Sequence, residues 1–276
     1  LHDALPIWGN PTRADRCNDF TDYADIWLGE ALARIAEETG ARAGVLGICQ
    51  GGVFALCQAA LHPERVAGLA LAVTPVDFHA EEEHPSRGHL NAWCRGLDAE
   101  TVDAFLAERG LVPGAIAGAV FQSLSPMKAA TKYGPDLLAL ADDPQAIDTF
   151  LRMEAWLADR PDHPAAAARQ WLVELYIENR LARGRFRLDG RRVELTRIAC
   201  PILNIVALED HIVPPASARA LDGLTASRDY RLLEVPTGHV GAFVSEKAQG
   251  IVAPALIDWL GRLDEPAARP RAGTGC

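Results

Sequence analysis

Two strand-length apolar runs, Ala43–Ile48 and Val66–Val73, flank a helical pattern over Gly51–Leu61, and this order constrains the fold more than any other feature of the chain. Neither run alternates with polar residues. A strand that is apolar on both sides must be covered on both faces, which is the situation of a parallel sheet with helices above and below it. Strand, turn, helix and strand form a βαβ unit, so the expected class is α/β with a mostly parallel, doubly wound sheet. Upstream, Phe20–Thr39 places Ile26, Leu28, Leu32 and Ile35 at helical spacing and ends at Gly40, a C-cap residue. Pro63 stops the helix that follows the first strand.

The alternation lapses from about Phe78 to Arg192, where helical stretches at Thr101–Arg109, Ala146–Ala158 and Pro164–Leu181 occur without a strong strand. It resumes with a strand at Pro201–Ala207, a helix near Pro215–Leu224, a strand at Tyr230–Val235 and a last helix at Ile251–Leu260. The expected organisation is a first core segment (7–77), a helical insertion (78–192), a second core segment (193–264) and a tail rich in Pro, Ala, Gly and Arg (265–276). With 49% apolar and 23% charged residues among 276, the chain can bury a large core. Leu1 to Pro6 joins no element and a helix follows almost at once. The first strands of such a sheet are therefore expected to be missing, with unrelated residues at the head.

Gly47-Ile48-Cys49-Gln50-Gly51-Gly52 stands where the first strand gives way to its helix. This is the setting of a nucleophile elbow, G-x-nucleophile-x-G. The central residue is forced into a strained backbone conformation, and the positions two before and two after it are expected to need glycine for lack of room. The side chain then stands at a helix N-terminus, where backbone amides stabilise negative charge, and the amide of Gln50 is the natural oxyanion donor. A nucleotide-binding loop would need GxGxxG or GxxxxGK[ST], and neither register fits. The competing reading of Cys49 is a buried, inert thiol.

A thiol is mostly protonated at neutral pH, so a nucleophilic cysteine needs a base. Asp210 follows the strand Pro201–Ala207, and His239 follows the strand Tyr230–Val235, between Gly238 and Gly241. Both lie past the carboxyl end of a strand, where open α/β sheets place their sites, and the order nucleophile, acid, histidine matches triads on such sheets. Glu209 competes for the acid. His211 competes for the base, although a loop-bracing or substrate-lining role suits it better.

Other features have plainer readings. His79 to His89 holds histidines and glutamates without the spacing of a metal site, so no metal is expected. Arg180, Arg183, Arg185, Arg187, Arg191 and Arg192 form a basic stretch that reads as a solvated face, or as a patch for phosphates or an acidic partner. The formal net charge of −10 opposes nucleic-acid binding. Six cysteines without a CxxC pair, and no apolar run of membrane-spanning length, fit a reduced compartment and no membrane span. Cys17, Cys57, Cys94, Cys200 and Cys276 are expected to be structural or incidental.

Gly47–Gly52, Val73-Thr74-Pro75-Val76-Asp77-Phe78, Phe150-Leu151-Arg152-Met153-Glu154, Glu209-Asp210-His211-Ile212-Val213-Pro214-Pro215 and Gly238-His239-Val240-Gly241 together resemble the PhaC subunit of polyhydroxyalkanoate synthases. The likeness runs from about Trp8 to Trp259, and Met153, Trp156 and the stretch Cys200–Pro215 point to the short, two-subunit type. It implies an α/β-hydrolase fold with a helical cap, Cys49 as nucleophile, His239 as base and Asp210 as carboxylate. It also implies polymerisation of (R)-3-hydroxyacyl-coenzyme A through a Cys-bound thioester, with no cofactor. A PhaE-like accessory subunit, a homodimer and a cytoplasmic location at the polyester granule surface follow from the same resemblance, and Leu111–Leu124 is a candidate lid. Before Trp8 the likeness lapses, and the family's preceding strands, with the loop expected to give a second oxyanion amide, are expected to be missing. Two rivals remain: a Cys-nucleophile hydrolase of the dienelactone-hydrolase kind, which shares Gly-x-Cys-x-Gly-Gly, and a non-catalytic protein that binds granule surfaces or a partner.

Overall fold

The computed structural model describes residues 8–81, 88–124 and 131–263. Four parallel strands form the main sheet: β1 (Ala43–Ile48), β2 (Val66–Ala72), β3 (Ile202–Ala207) and β4 (Tyr230–Val235), side by side in that order. Burial explains the unbroken apolar runs of the central pair, but not that of β1, expected to be covered on both faces yet lying at the sheet edge with Leu46 and Ile48 exposed. Every residue of β3 is buried, and in β2 only Ala67 is less than fully so. In β1 and β4 half-buried positions largely alternate with exposed ones and only Gly47 and Val235 are buried, as at the edge of a sheet.

Helix α1 (Leu28–Thr39) buries Leu28 and Leu32 and ends at Gly40, whose φ of 69° and bond to the Ala36 carbonyl make a left-handed cap. A π-helical stretch, Thr21–Trp27, runs into it, so the predicted helix starts in a wider coil. Helix α2 (Gln50–Leu61) lies between β1 and β2 in the chain and is buried from Val53 to Leu61 except at Phe54. The last helix, Glu246–Leu263, is longer than its sequence pattern and lays Trp259 and Leu263 against Gly44 and Gly68 of the first two strands.

Because β2 pairs directly with β3, the long intervening segment adds nothing to the main sheet. It is mostly helical among the described residues: His89–Arg95, Ala99–Arg109, Gly114–Ser123, Pro144–Ala158 and Ala165–Arg169, with π-helical Gln170–Ile177. Two small antiparallel pairings interrupt it, Leu111–Val112 with His163–Pro164 and Arg187–Leu188 with Arg191–Arg192. Each is two residues long, too short to show as a periodic pattern.

An aromatic cluster fastens this segment to the core. Fully buried Phe20 meets Phe54, Trp171 and Phe186 at centroid distances of 4.9, 5.2 and 5.5 Å. Asn179, buried and at φ 52°, accepts a bond from the Phe78 amide (3.1 Å) and donates to Asp77 (2.7 Å). The exit of β2 is thereby bound to the segment's far end. The basic stretch occupies the outer face of the second hairpin: Phe186, Leu188 and Val193 are buried while Arg185, Arg187, Arg191 and Arg192 are exposed. Arg180 pairs with Glu174 and Glu178, and Arg191 pairs with Asp25.

Candidate active site

Cys49 joins β1 to α2 at φ 50° and ψ −116°, a conformation costly for any residue with a β-carbon. Its amide donates to the Ala72 carbonyl at the end of β2 (2.9 Å), fixing the corner against the neighbouring strand. Val73, the next residue, is also left-handed (φ 45°), which ends β2 one residue earlier than its apolar run. A β-branched residue in that region is a true outlier. Two strained non-glycine residues thus stand at the carboxyl ends of adjacent strands, and the sequence carried no mark of the second.

The glycines around the corner have different duties from those expected. A β-carbon on Gly47 would come 2.5 Å from the Gly52 Cα, so position 47 has no room for one. On Gly51 it would meet nothing within 4 Å. Gly52 is the crowded one, where a β-carbon would lie 1.9 Å from Thr74 Oγ1 and 2.7 Å from Thr74 Cβ. The second steric requirement therefore sits three residues after Cys49, set by the strand exit next door. We expect Gly52→Ala to lower the unfolding free energy by about 1–3 kcal/mol. Gly51→Ala should be neutral or slightly stabilising, since alanine suits a helix. Urea unfolding of the two variants measures the difference.

Asp210 is fully buried one turn beyond β3. Its Oδ1 accepts the amides of Ile212 (2.8 Å) and Val213 (2.9 Å), and its Oδ2 accepts His239 Nδ1 at 2.7 Å. Backbone bonds from Leu208 to Val235 (2.8 Å) and from Glu209 to Thr237 (3.0 Å) lace the two loops together. The neighbouring Glu209 is exposed, so burial distinguishes the two acids. The Cys49 side chain raises the proton affinity of the same imidazole, which sets it near the Asp210–His239 pair. His211 is half-buried and takes no part in that pair.

Burial of the His239 ring opposes its positive form, but the hydrogen bond to Asp210 and the neighbouring Cys49 and Asp210 side chains outweigh it, pushing its pKa up to about 10. The folded chain holds this proton more tightly than an unfolded histidine does at 6.5. The stabilisation is therefore fully present below pH 6.5 and lost as pH rises towards 10. We expect the urea midpoint to fall over that range more steeply than in His239→Gln; parallel curves would contradict the assignment.

Two residues near the corner escaped sequence reasoning. Burial raises the Tyr176 hydroxyl well above its ordinary value, and the Cys49 and Asp210 side chains act on it in the same direction, which sets this ring beside the site. His163 approaches the corner from the other side, its Nε2 3.2 Å from Gln50 Oε1. Gln50 opens α2, with its backbone amide at the first turn. The remaining thiols differ in setting: burial pushes Cys94 up to about 12 and Cys200 to about 11, and raises buried Cys57 further. Cys17 is exposed, and Cys276 lies outside the described residues. Of the stretch His79–His89, residues 82–87 also lie outside them; His79 bonds the Tyr176 carbonyl (2.9 Å). Among the described residues no three His, Cys, Asp or Glu side chains converge as a metal site would require. No described helix is long and apolar enough to cross a membrane.

A family model of the α/β-hydrolase fold matches residues 7–246. The poly(3-hydroxyalkanoate) polymerase subunit PhaC of Allochromatium vinosum is 40% identical over 254 residues, covering 92% of this chain and 69% of that protein. The chain belongs to the PhaC family. Other PhaC subunits align similarly, that of Thiocystis violacea at 37% identity over 92% of this chain and 69% of its own length. That of Haloferax mediterranei is 31% identical over 94% of this chain and 51% of its own length. A solved structure bearing the name non-heme bromoperoxidase BpoC, from Mycobacterium tuberculosis, superposes with a TM-score of 0.50. It is 19% identical, with 88% of this chain and 75% of that one covered, a likeness of fold alone. Membership in the PhaC family supports an enzyme of polyhydroxyalkanoate synthesis on an α/β-hydrolase core.

Proposed function

We propose that this chain is an acyltransferase that polymerises (R)-3-hydroxyacyl-coenzyme A, with 3-hydroxybutyryl-coenzyme A the first substrate to test, through a thioester on Cys49. The observation that carries the reading is the Asp210–His239 hydrogen bond, with the Cys49 side chain acting on the same ring, in a member of the PhaC family.

In the first half-reaction His239 holds the thiol proton and Cys49 sulfur attacks the thioester carbonyl. The developing oxyanion faces the Gln50 amide and the start of α2. The bond from carbonyl carbon to coenzyme A sulfur breaks, and coenzyme A leaves as a thiol with the proton from His239. In the second, the 3-hydroxyl of another unit attacks the Cys49 thioester. Its proton passes to the imidazole, the carbon–sulfur bond breaks and an ester forms. Asp210, fully buried between two backbone amides and the ring, keeps Nδ1 protonated so that Nε2 faces sulfur. Exchange of one thioester for another is nearly balanced in energy, and water has to be excluded from the intermediate.

In this reading residues 78–192 are a cap, Leu111–Leu124 its lid, and His211 lines the substrate path. A PhaE-like accessory subunit, a homodimer and a cytoplasmic granule surface complete the assignment. The protein supplied with (R)-3-hydroxybutyryl-coenzyme A and a PhaE-like subunit should release coenzyme A and deposit insoluble polyester. Release of coenzyme A with free 3-hydroxybutyrate alone would favour a hydrolase instead.

A further inference from the structure

We propose that His163 is a positioning residue, tying the segment between β2 and β3 to the corner that carries Cys49 through the Gln50 side chain. The inference rests on the reading of Cys49 as nucleophile and goes beyond it, because the hydrogen bond of the His163 ring goes to Gln50 and not to the Asp210–His239 pair.

Three observations converge on it. First, an amide oxygen can only accept, so the 3.2 Å approach of His163 Nε2 to Gln50 Oε1 makes the ring nitrogen the donor. Burial lowers the proton affinity of this ring, with Asp162 opposing, and a neutral imidazole protonated on Nε2 meets the need. Second, the backbone that presents the ring is clamped. His163 pairs with Val112 and Pro164 with Leu111, Ala165 donates to the Gly110 carbonyl (3.1 Å), and Asp162 accepts the Gly114 amide (2.8 Å). A β-carbon on Gly114 would lie 2.3 Å from the Arg160 carbonyl and 2.7 Å from that of Pro161, so the turn 160–164 seats directly on the start of helix Gly114–Ser123. Third, Gln50 is the residue whose amide stands next to the strained Cys49, so immobilising its side chain restrains that peptide plane.

The physical consequence is a mechanical link. Wherever Gly114–Ser123 and its clamp sit, the first turn of α2 is held with them, so the oxyanion amide and the segment share one position. Displacements of about 1 Å at a reacting centre cost about 100-fold in rate, so a single hydrogen bond can matter more to kcat than to stability.

Single-turnover release of coenzyme A from an acyl-coenzyme A without a free hydroxyl, with the accessory subunit present, reads the tie. His163→Phe keeps the ring's bulk without the donor, and Gln50→Leu keeps the backbone amide without the acceptor. Each should slow acylation about 5- to 10-fold with KM changed less than about 2-fold, and the double variant should be no slower than either single one. His163→Gln, which retains a donor, should recover most of the rate. Multiplicative loss in the double variant, an unchanged rate in His163→Phe, or failure of His163→Gln to recover would overturn the proposal. If the unaltered protein forms no acyl adduct on Cys49, the functional reading fails, and that outcome is separate from the tie.

Discussion

Replacing Cys49 with alanine is expected to abolish polyester formation, with turnover down by at least about 10⁴-fold while the protein stays folded. Alanine adopts the same left-handed backbone at φ 50° no less readily than cysteine, and Cys49 is only half-buried, so little packing is lost. Among the described residues no other thiol acts on the His239 ring, and Cys57, Cys94 and Cys200 are kept as thiols by burial. Coenzyme A release and polymer mass, measured beside the thermal midpoint, separate lost chemistry from lost fold. Polymer formation by the folded variant would assign catalysis elsewhere.

Asp210→Asn is the second large effect. The buried carboxylate is ringed by donors: two backbone amides on one oxygen and His239 Nδ1 on the other. An asparagine can keep its oxygen towards the amides only by turning its NH₂ group to Nδ1. The ring must then carry its proton on Nε2, pointing at sulfur, and can no longer take the thiol proton. A loss of about 10³- to 10⁴-fold in kcat is expected, the size found when the aspartate of a Ser–His–Asp triad is amidated. The pH–rate profile should shift as well, because the imidazole loses the partner that helps hold its pKa up at about 10. A loss below about 10-fold would mean that another acid orients the ring.

The sheet was legible because its central strands are buried on both faces, and nothing but unbroken apolar residues suits that environment. β4 spans the residues expected of it, Tyr230–Val235, and β2 differs only where Val73 turns left-handed. Asp210 and His239 could be named from chain order because both follow a strand end by a few residues. What stayed hidden depends on contacts between distant parts of the chain. The crowding of Gly52 rather than Gly51 comes from Thr74 on the neighbouring strand exit. The choice between Glu209 and Asp210 is one of side-chain direction on a turn, visible only as exposed against buried. His163 reaches Gln50 across 113 residues from a two-residue strand pairing too short to leave a pattern. The segment between β2 and β3 was readable as helical, but its local spacing does not mark the π-helical turns at Gln170–Ile177, where Trp171 packs on Phe20.

Everything depends on sulfur receiving the acyl group. Intact-mass and peptide mass spectrometry after incubation with a 3-hydroxyacyl-coenzyme A analogue lacking the free hydroxyl tests this most directly. The account predicts one acyl adduct per chain, located on the peptide bearing Cys49 and absent from His239→Gln. An unmodified Cys49 alongside released coenzyme A, or an adduct on another residue that persists in Cys49→Ala, would contradict it.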